Sequence, residues 1–239
     1  MKNKLLLFAV TFFIALIAQS QTPTNNDYLK PVLTDLQKQW PNNRTINFVF
    51  HGHSVPSGYF NTPYVNTLKG YPHLTLCYLK ERFPCAVVNV IITAIGGEQS
   101  EQGAVRFKDE VLTMRPDVLF IDYVLNDRSI GLERARVAWV KMIEEGLINN
   151  KKIILLTPSP DMTEDILDNN SPLAKHSDQI RELALFYKIG LVDSYREFKN
   201  RCVAGESLSS YMSQSNHPNE KGHQLIFEEI KKILQNTQN

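Results

Sequence analysis

Cysteine is scarce in this 239-residue sequence. Cys77, Cys85 and Cys202 are too few, and odd in number, for a disulfide framework. One pair, such as Cys77 with Cys85, could bridge in an oxidising compartment, and all three could equally be buried thiols. An excess of charge of one sign is also lacking, with 26 Lys and Arg against 25 Asp and Glu. Nothing in that balance asks for a nucleic-acid partner. Beyond the N-terminal segment no apolar run approaches the roughly 20 residues that cross a bilayer. The chain has neither an internal repeat nor a low-complexity block, which argues against solenoids and disordered tracts.

What is present begins with Lys2 and Lys4, an apolar run from Leu5 to Ala18 interrupted by Thr11, and the small residue Ser20. That pattern predicts a signal peptide over residues 1–20, cleaved near Ser20, and export to the periplasm or beyond the cell. No cysteine follows the run to accept a lipid, so no stable membrane anchor is expected. Cleavage leaves 24 basic residues against 25 acidic ones. Residues 21–239 read as one domain, with a hydrophobic content of 43% over the full chain, enough for one sizeable core.

Short β-rich runs alternate with longer amphipathic ones. Expected strands are 46–50, 86–92, 118–125, 153–157 and 189–192; expected helices are 65–82, 99–111, 132–148, 173–187 and 220–234, with a short helix near 31–40. Most strand runs are apolar throughout, as strands covered on both faces are. The order predicts an α/β fold with a mainly parallel five-stranded sheet between helical layers. Ligands bind such sheets outside the carboxyl ends of the strands, which directs attention to 51–59, 93–99, 126–129 and 158–163.

Those segments carry chemistry. After the first strand, Gly52-His53-Ser54 puts a serine on a tight turn. After the second, Gly96-Gly97 offers backbone donors, and after the third, Asn126-Asp127 offers a side-chain amide. Near the end stands His217-Pro218-Asn219, then Gly222-His223, just before a helix. Serine, glycine, asparagine and histidine in this order resemble the SGNH (GDSL-like) serine esterase superfamily over essentially the whole chain after the leader. The resemblance implies a flavodoxin-like, three-layer α/β/α sandwich and a serine-dependent carboxylic ester hydrolase. It further implies Ser54 as nucleophile, His217 as general base, and an oxyanion hole from the Ser54 and Gly97 amides with the Asn126 side chain.

The chain departs from the family pattern at three places. His53 stands where aspartate precedes the serine, Val124 stands where glycine lies two before the asparagine, and Gln214 stands where aspartate lies three before the histidine. The last removes the usual carboxylate behind the imidazole. A main-chain carbonyl near Gln214 is therefore expected to orient His217, unless a carboxylate such as Asp161 or Glu206 does so. His53 and Asp127 are candidate supports, Asp127 by holding its loop.

His51 and His53 have the spacing of a metal-binding pair, but no partner motif accompanies them and the family supplies no metal. No metal or cofactor is expected. Asp122, a carboxylate in an apolar strand, is expected either to pair with His51 beneath the site or to bond backbone amides or face a polar helix. Asp193 is expected to cap a helix. His73 and His176 read as surface or helix-end residues, and His223 as packing or bonding within its helix. Arg128, Tyr59, Phe60, Tyr64 and Tyr211 are candidate cleft residues. An exported family member without a long apolar lid suggests a small-molecule or polysaccharide ester substrate, with carbohydrate O-acetyl groups first. A short-chain acyl esterase or thioesterase, or a non-catalytic glycan-binding module, is the alternative.

Overall fold

A computed structural model describes residues 27–235; the expected leader and its cleavage point lie outside the described residues. The apolar runs form five strands: β1 (Thr45–Gly52), β2 (Val87–Ile92), β3 (Val118–Asp122), β4 (Lys152–Leu156) and β5 (Gly190–Val192). Their order is β2-β1-β3-β4-β5 and every pairing is parallel. All five residues of β3 are buried, which is why the central strand reads as an unbroken apolar run.

The helices, in chain order, are α1 (Lys30–Leu36), α2 (Ser54–Ser57), α3 (Tyr71–Arg82), α4 (Ser100–Arg106), α5 (Val124–Asp127), α6 (Gly131–Ile148), α7 (Pro172–Tyr187), α8 (Ser194–Val203) and α9 (Glu220–Gln235). On one side α3 packs on α9 and α9 on α8; on the other α4 packs on α6 and α6 on α7. The result is the expected three-layer α/β/α sandwich. Its strand order reverses between β1 and β3, so a crevice opens where these neighbours end, and α2 and α5 follow them there.

Several boundaries differ from expectation. Strand β3 stops at Asp122, because Val124 and Leu125 are buried on the one-turn helix α5; an apolar run alone does not separate strand from helix. Helix α3 starts at Tyr71, after extended Gly70, with Pro72 in its first turn where a missing N–H costs nothing. Helix α8 was not expected as an element, although Asp193 caps it as anticipated. A small antiparallel ribbon, β6 (Met212–Gln214) with β7 (His217–Pro218), was also not expected. Cys77 and Cys85 are free and exposed, neither bridged nor buried, and Cys202 is free and half-buried. No helix among the described residues is long and apolar enough to cross a membrane.

Gly52 sets the crevice geometry. A Cβ there would lie 2.3 Å from the Asp122 carbonyl oxygen and 2.8 Å from Pro56 Cγ. Only glycine lets the chain leaving β1 turn against the end of β3.

Candidate active site

Ser54 opens α2 and His217 opens β7, and both are buried. The Ser54 hydroxyl lies 2.9 Å from His217 Nε2. His217 Nδ1 lies 3.0 Å from the Phe60 carbonyl oxygen. A carbonyl only accepts, so Nδ1 carries the proton, Nε2 is bare, and the serine donates to it. Burial, and after it the nearby His53, hold the His217 imidazole below its usual value against the opposing effect of the Phe60 carbonyl. The ring is therefore a neutral proton acceptor at neutral pH.

The expected main-chain orienter is thus present but comes from Phe60, not from beside Gln214. Gln214 acts one step further out. Its Oε1 accepts from Thr62 N–H at 2.9 Å and its Nε2 donates to Asn216 at 3.0 Å. It ties the loop carrying Phe60 to the ribbon carrying His217. Neither named carboxylate reaches the imidazole: Asp161 accepts from Arg128 at 2.7 Å and from Thr163, and Glu206 accepts from Tyr211 and Lys221. Arg128 also pairs with Glu164, so its charge is engaged in holding this loop.

The turn bearing Ser54 is fixed on several sides. Tyr59 N–H returns to the Ser54 carbonyl at 3.1 Å, and Ser57 Oγ lies 3.0 Å from the carbonyls of both His53 and Ala94, its one proton shared between them. The second bond ties the turn to the loop after β2. There Gly97 has φ of +79°, a conformation costly for any other residue, and a Cβ on it would meet nothing within 4 Å. Its amide, like that of Ser54, donates to no protein acceptor among the described residues. Asn126, on α5, donates at 2.9 Å to the Glu98 carbonyl, which leaves one amide hydrogen free.

Asp127 clamps α5 as expected, accepting from Ser100 N–H at 2.8 Å and Trp139 Nε1–H at 2.7 Å. Burial nevertheless raises its carboxyl above the usual range. Glu98, unmarked in the sequence reading, sends its side chain under the loop. It accepts from Tyr123 at 2.7 Å and from Arg106 at 2.5 Å, and Arg106 also bonds the Thr93 carbonyl. Only a lone Glu beside Gly-Gly hinted at this, and a solvated loop residue would look the same.

The expected Asp122–His51 pair does not form. Register explains it: Gly52 lies opposite Asp122 and His51 opposite Ile121, so side-chain alternation sends His51 and Asp122 to opposite faces. His51 meets Thr93, the Gly103 carbonyl and Tyr123, and burial followed by the Arg106 charge pushes its pKa down to about 3. Asp122 instead faces His53 at 3.4 Å and accepts from Tyr71 at 2.9 Å. His51 and His53 thus share no partner, and no cluster of metal-binding side chains occurs among the described residues.

His223 is buried and bonds outside its own helix, accepting from Tyr71 N–H at 3.4 Å and stacking on Phe60 at 4.9 Å. His176 is also buried, against expectation, while His73 is half-buried. Of the candidate cleft aromatics, Phe60 and Tyr211 are core residues and Tyr64 is exposed. Tyr59 is half-buried, 5.9 Å from the His217 ring and close against Gly96.

A serine and a bare imidazole meet at the switch point of a flavodoxin-like sheet, an arrangement of the serine-hydrolase class within α/β/α folds. Residues 50–225 match the model of the GDSL-like lipase/acylhydrolase family, and the chain belongs to that family. No curated protein sequence matches significantly. Among solved structures, the chain is similar to a two-domain esterase active on acetylated mannans, with a TM-score of 0.72 and 20% identity over 92% of this chain. It spans only 58% of that protein's length. It is also similar to an acetylxylan esterase from Geobacillus stearothermophilus, with a TM-score of 0.68, 18% identity, and coverage of 80% of this chain and 94% of the other. A putative GDSL-like lipase from Parabacteroides merdae gives a TM-score of 0.67 and 18% identity, covering 80% of this chain and 96% of the other.

Proposed function

We propose that the protein is an exported esterase that removes O-acetyl groups from carbohydrate through a serine acyl-enzyme. Ser54 attacks the ester carbonyl as its proton passes to His217 Nε2. The tetrahedral oxyanion takes hydrogen bonds from the Ser54 and Gly97 amides and from the free hydrogen of Asn126. His217 then protonates the departing sugar hydroxyl, and a water it deprotonates releases acetate from Ser54. The observation that carries this reading is the Ser54–His217 contact of 2.9 Å with Nδ1 committed to the Phe60 carbonyl.

The substrate class rests on the similar structures, on one aromatic side chain and on the N-terminal segment. Two of the similar structures are named as esterases of acetylated mannan or xylan. The half-buried Tyr59 beside Gly96 and His217 offers an aromatic face of the kind sugar rings stack on. The N-terminal Lys2, Lys4 and apolar run fit export to where such polymers are met.

The test is p-nitrophenyl acetate hydrolysis and acetate release from acetylated xylan and mannan by the wild type, Ser54→Ala and His217→Ala. Turnover lost in both variants, with acetylated glycan preferred to longer acyl esters, supports the proposal. A wild type no faster than Ser54→Ala overturns the catalytic reading, and a preference for longer acyl chains overturns the substrate.

A further inference from the structure

The carboxylate missing behind His217 has a counterpart beneath Ser54. His53 is wholly buried and caps α2: its Nδ1 accepts from Val55 N–H at 3.2 Å and stands 3.5 Å from Ser54 Oγ. An N–H donor on Nδ1 requires that nitrogen to be bare, so the proton sits on Nε2. Nε2 faces Asp122 Oδ1 at 3.4 Å, within ion-pair range but outside hydrogen-bond geometry, and neither of these two buried atoms has a hydrogen-bond partner among the described residues, so each is the other's nearest means of satisfaction. The other oxygen of Asp122 is held by the Tyr71 hydroxyl, and the Asp122 carbonyl accepts from His53 N–H at 3.2 Å. The backbone and the ring of His53 are thus both referred to one residue at the end of β3.

We propose that Tyr71, Asp122 and His53 form a positioning relay for Ser54, in which the Asp122 carboxylate fixes the His53 tautomer that caps α2. This rests on the reading of Ser54 as nucleophile. The relay sets where the hydroxyl and the Ser54 amide stand, and it commits the single Nδ1 lone pair to Val55 N–H, so that the ring does not accept from Ser54 Oγ–H. The serine proton is then shared with His217 alone. In the opposite tautomer, Nδ1–H would confront Val55 N–H, the cap would break, and the proton would compete for the serine oxygen. Asp122→Asn invites that tautomer, since its amide can donate to Nε2.

Two measurements test the relay. Nitrogen-15 imidazole NMR of the wild type should show His53 bare at Nδ1 and protonated at Nε2. Protonation at Nδ1 overturns the proposal whatever the activity. In kinetics, Asp122→Asn should lower kcat by on the order of 10²-fold with KM little changed, the cost of misplacing a reacting group by about 1 Å. His53→Asn, which can cap Val55 but lacks the ring, should lower kcat less, and adding Asp122→Asn to it should cost nothing further. Independent, multiplying losses, or an Asp122→Asn enzyme with wild-type kcat, overturn the relay while leaving the Ser54–His217 reading intact. If Asp122→Asn melts too low to assay, the His53→Asn pair and the NMR readout still decide it. Loss of the catalytic reading itself registers separately, as a wild type no faster than Ser54→Ala.

Discussion

Lowering the pH from 7 to 5 should loosen this fold well before its carboxylates are titrated. His51 and His223 are buried as neutral rings and each has its pKa pushed down to about 3, from an ordinary value of 6.5, chiefly by burial. A base held below its unfolded value stabilises the fold fully above pH 6.5, and that contribution is lost as pH falls from 6.5 toward 3. At pH 5 the unfolded chain has bound protons at both positions and the folded chain has not. Each pH unit is worth about 1.4 kcal/mol per ring, so the two together cost about 4 kcal/mol at pH 5. His217 and His176 are lowered in the same direction and add to the loss, whereas the raised carboxyl of Asp127 works against it. For a domain of this size, about 4 kcal/mol corresponds to a fall in Tm of roughly 8–16 °C. Calorimetry or dye-monitored melting of wild type and His223→Gln across pH 5 to 7.5 measures it. The variant should lose close to half of the pH dependence. A Tm that stays flat over this range, or the same slope in both proteins, would refute the argument. Because His223 stacks on Phe60, its protonation also strikes the loop that orients His217, so activity should decay with the melt.

Two other outcomes are expected. The acid limb of kcat/KM should fall below pH 6.5, because burial holds His217 neutral to lower pH than a free imidazole; a limb above 6.5 in the pH–rate profile contradicts this. Gln214→Ala frees Thr62 N–H and should lower kcat by about 10-fold or more through drift of the Phe60 carbonyl. Its Tm should move by no more than about 1 kcal/mol allows, since the bond is exposed; unchanged kcat would show that the loop holds itself.

Most of the sheet was legible because burial writes the central strands as near-continuous apolar runs, and α6, α7 and α9 were legible because their apolar residues repeat at helical spacing. What misled was an apolar run that turned corner, as at Val124 and Leu125, and a helix such as α8 whose buried residues are few. The serine, glycine, asparagine and histidine stood in the sequence because each follows its own element. Their supports did not. Phe60 contributes an atom that every residue has, so no residue type marks it. The choice of His53 over His51 as neighbour of Asp122 is a matter of strand register, which the chain discloses only once β1 and β3 are paired.

The orienting oxygen of Phe60 has a genetic consequence. A triad that relies on an aspartate can be disabled by one codon change at that aspartate. Here no codon change at position 60 removes the group that steers His217, because all twenty residues carry the same carbonyl. An alanine scan would report on the buried ring of Phe60 and not on the oxygen that orients His217. The vulnerable property is the length and anchoring of residues 59–70, so insertions or deletions there should appear among inactivating mutations more often than substitutions at Phe60 itself.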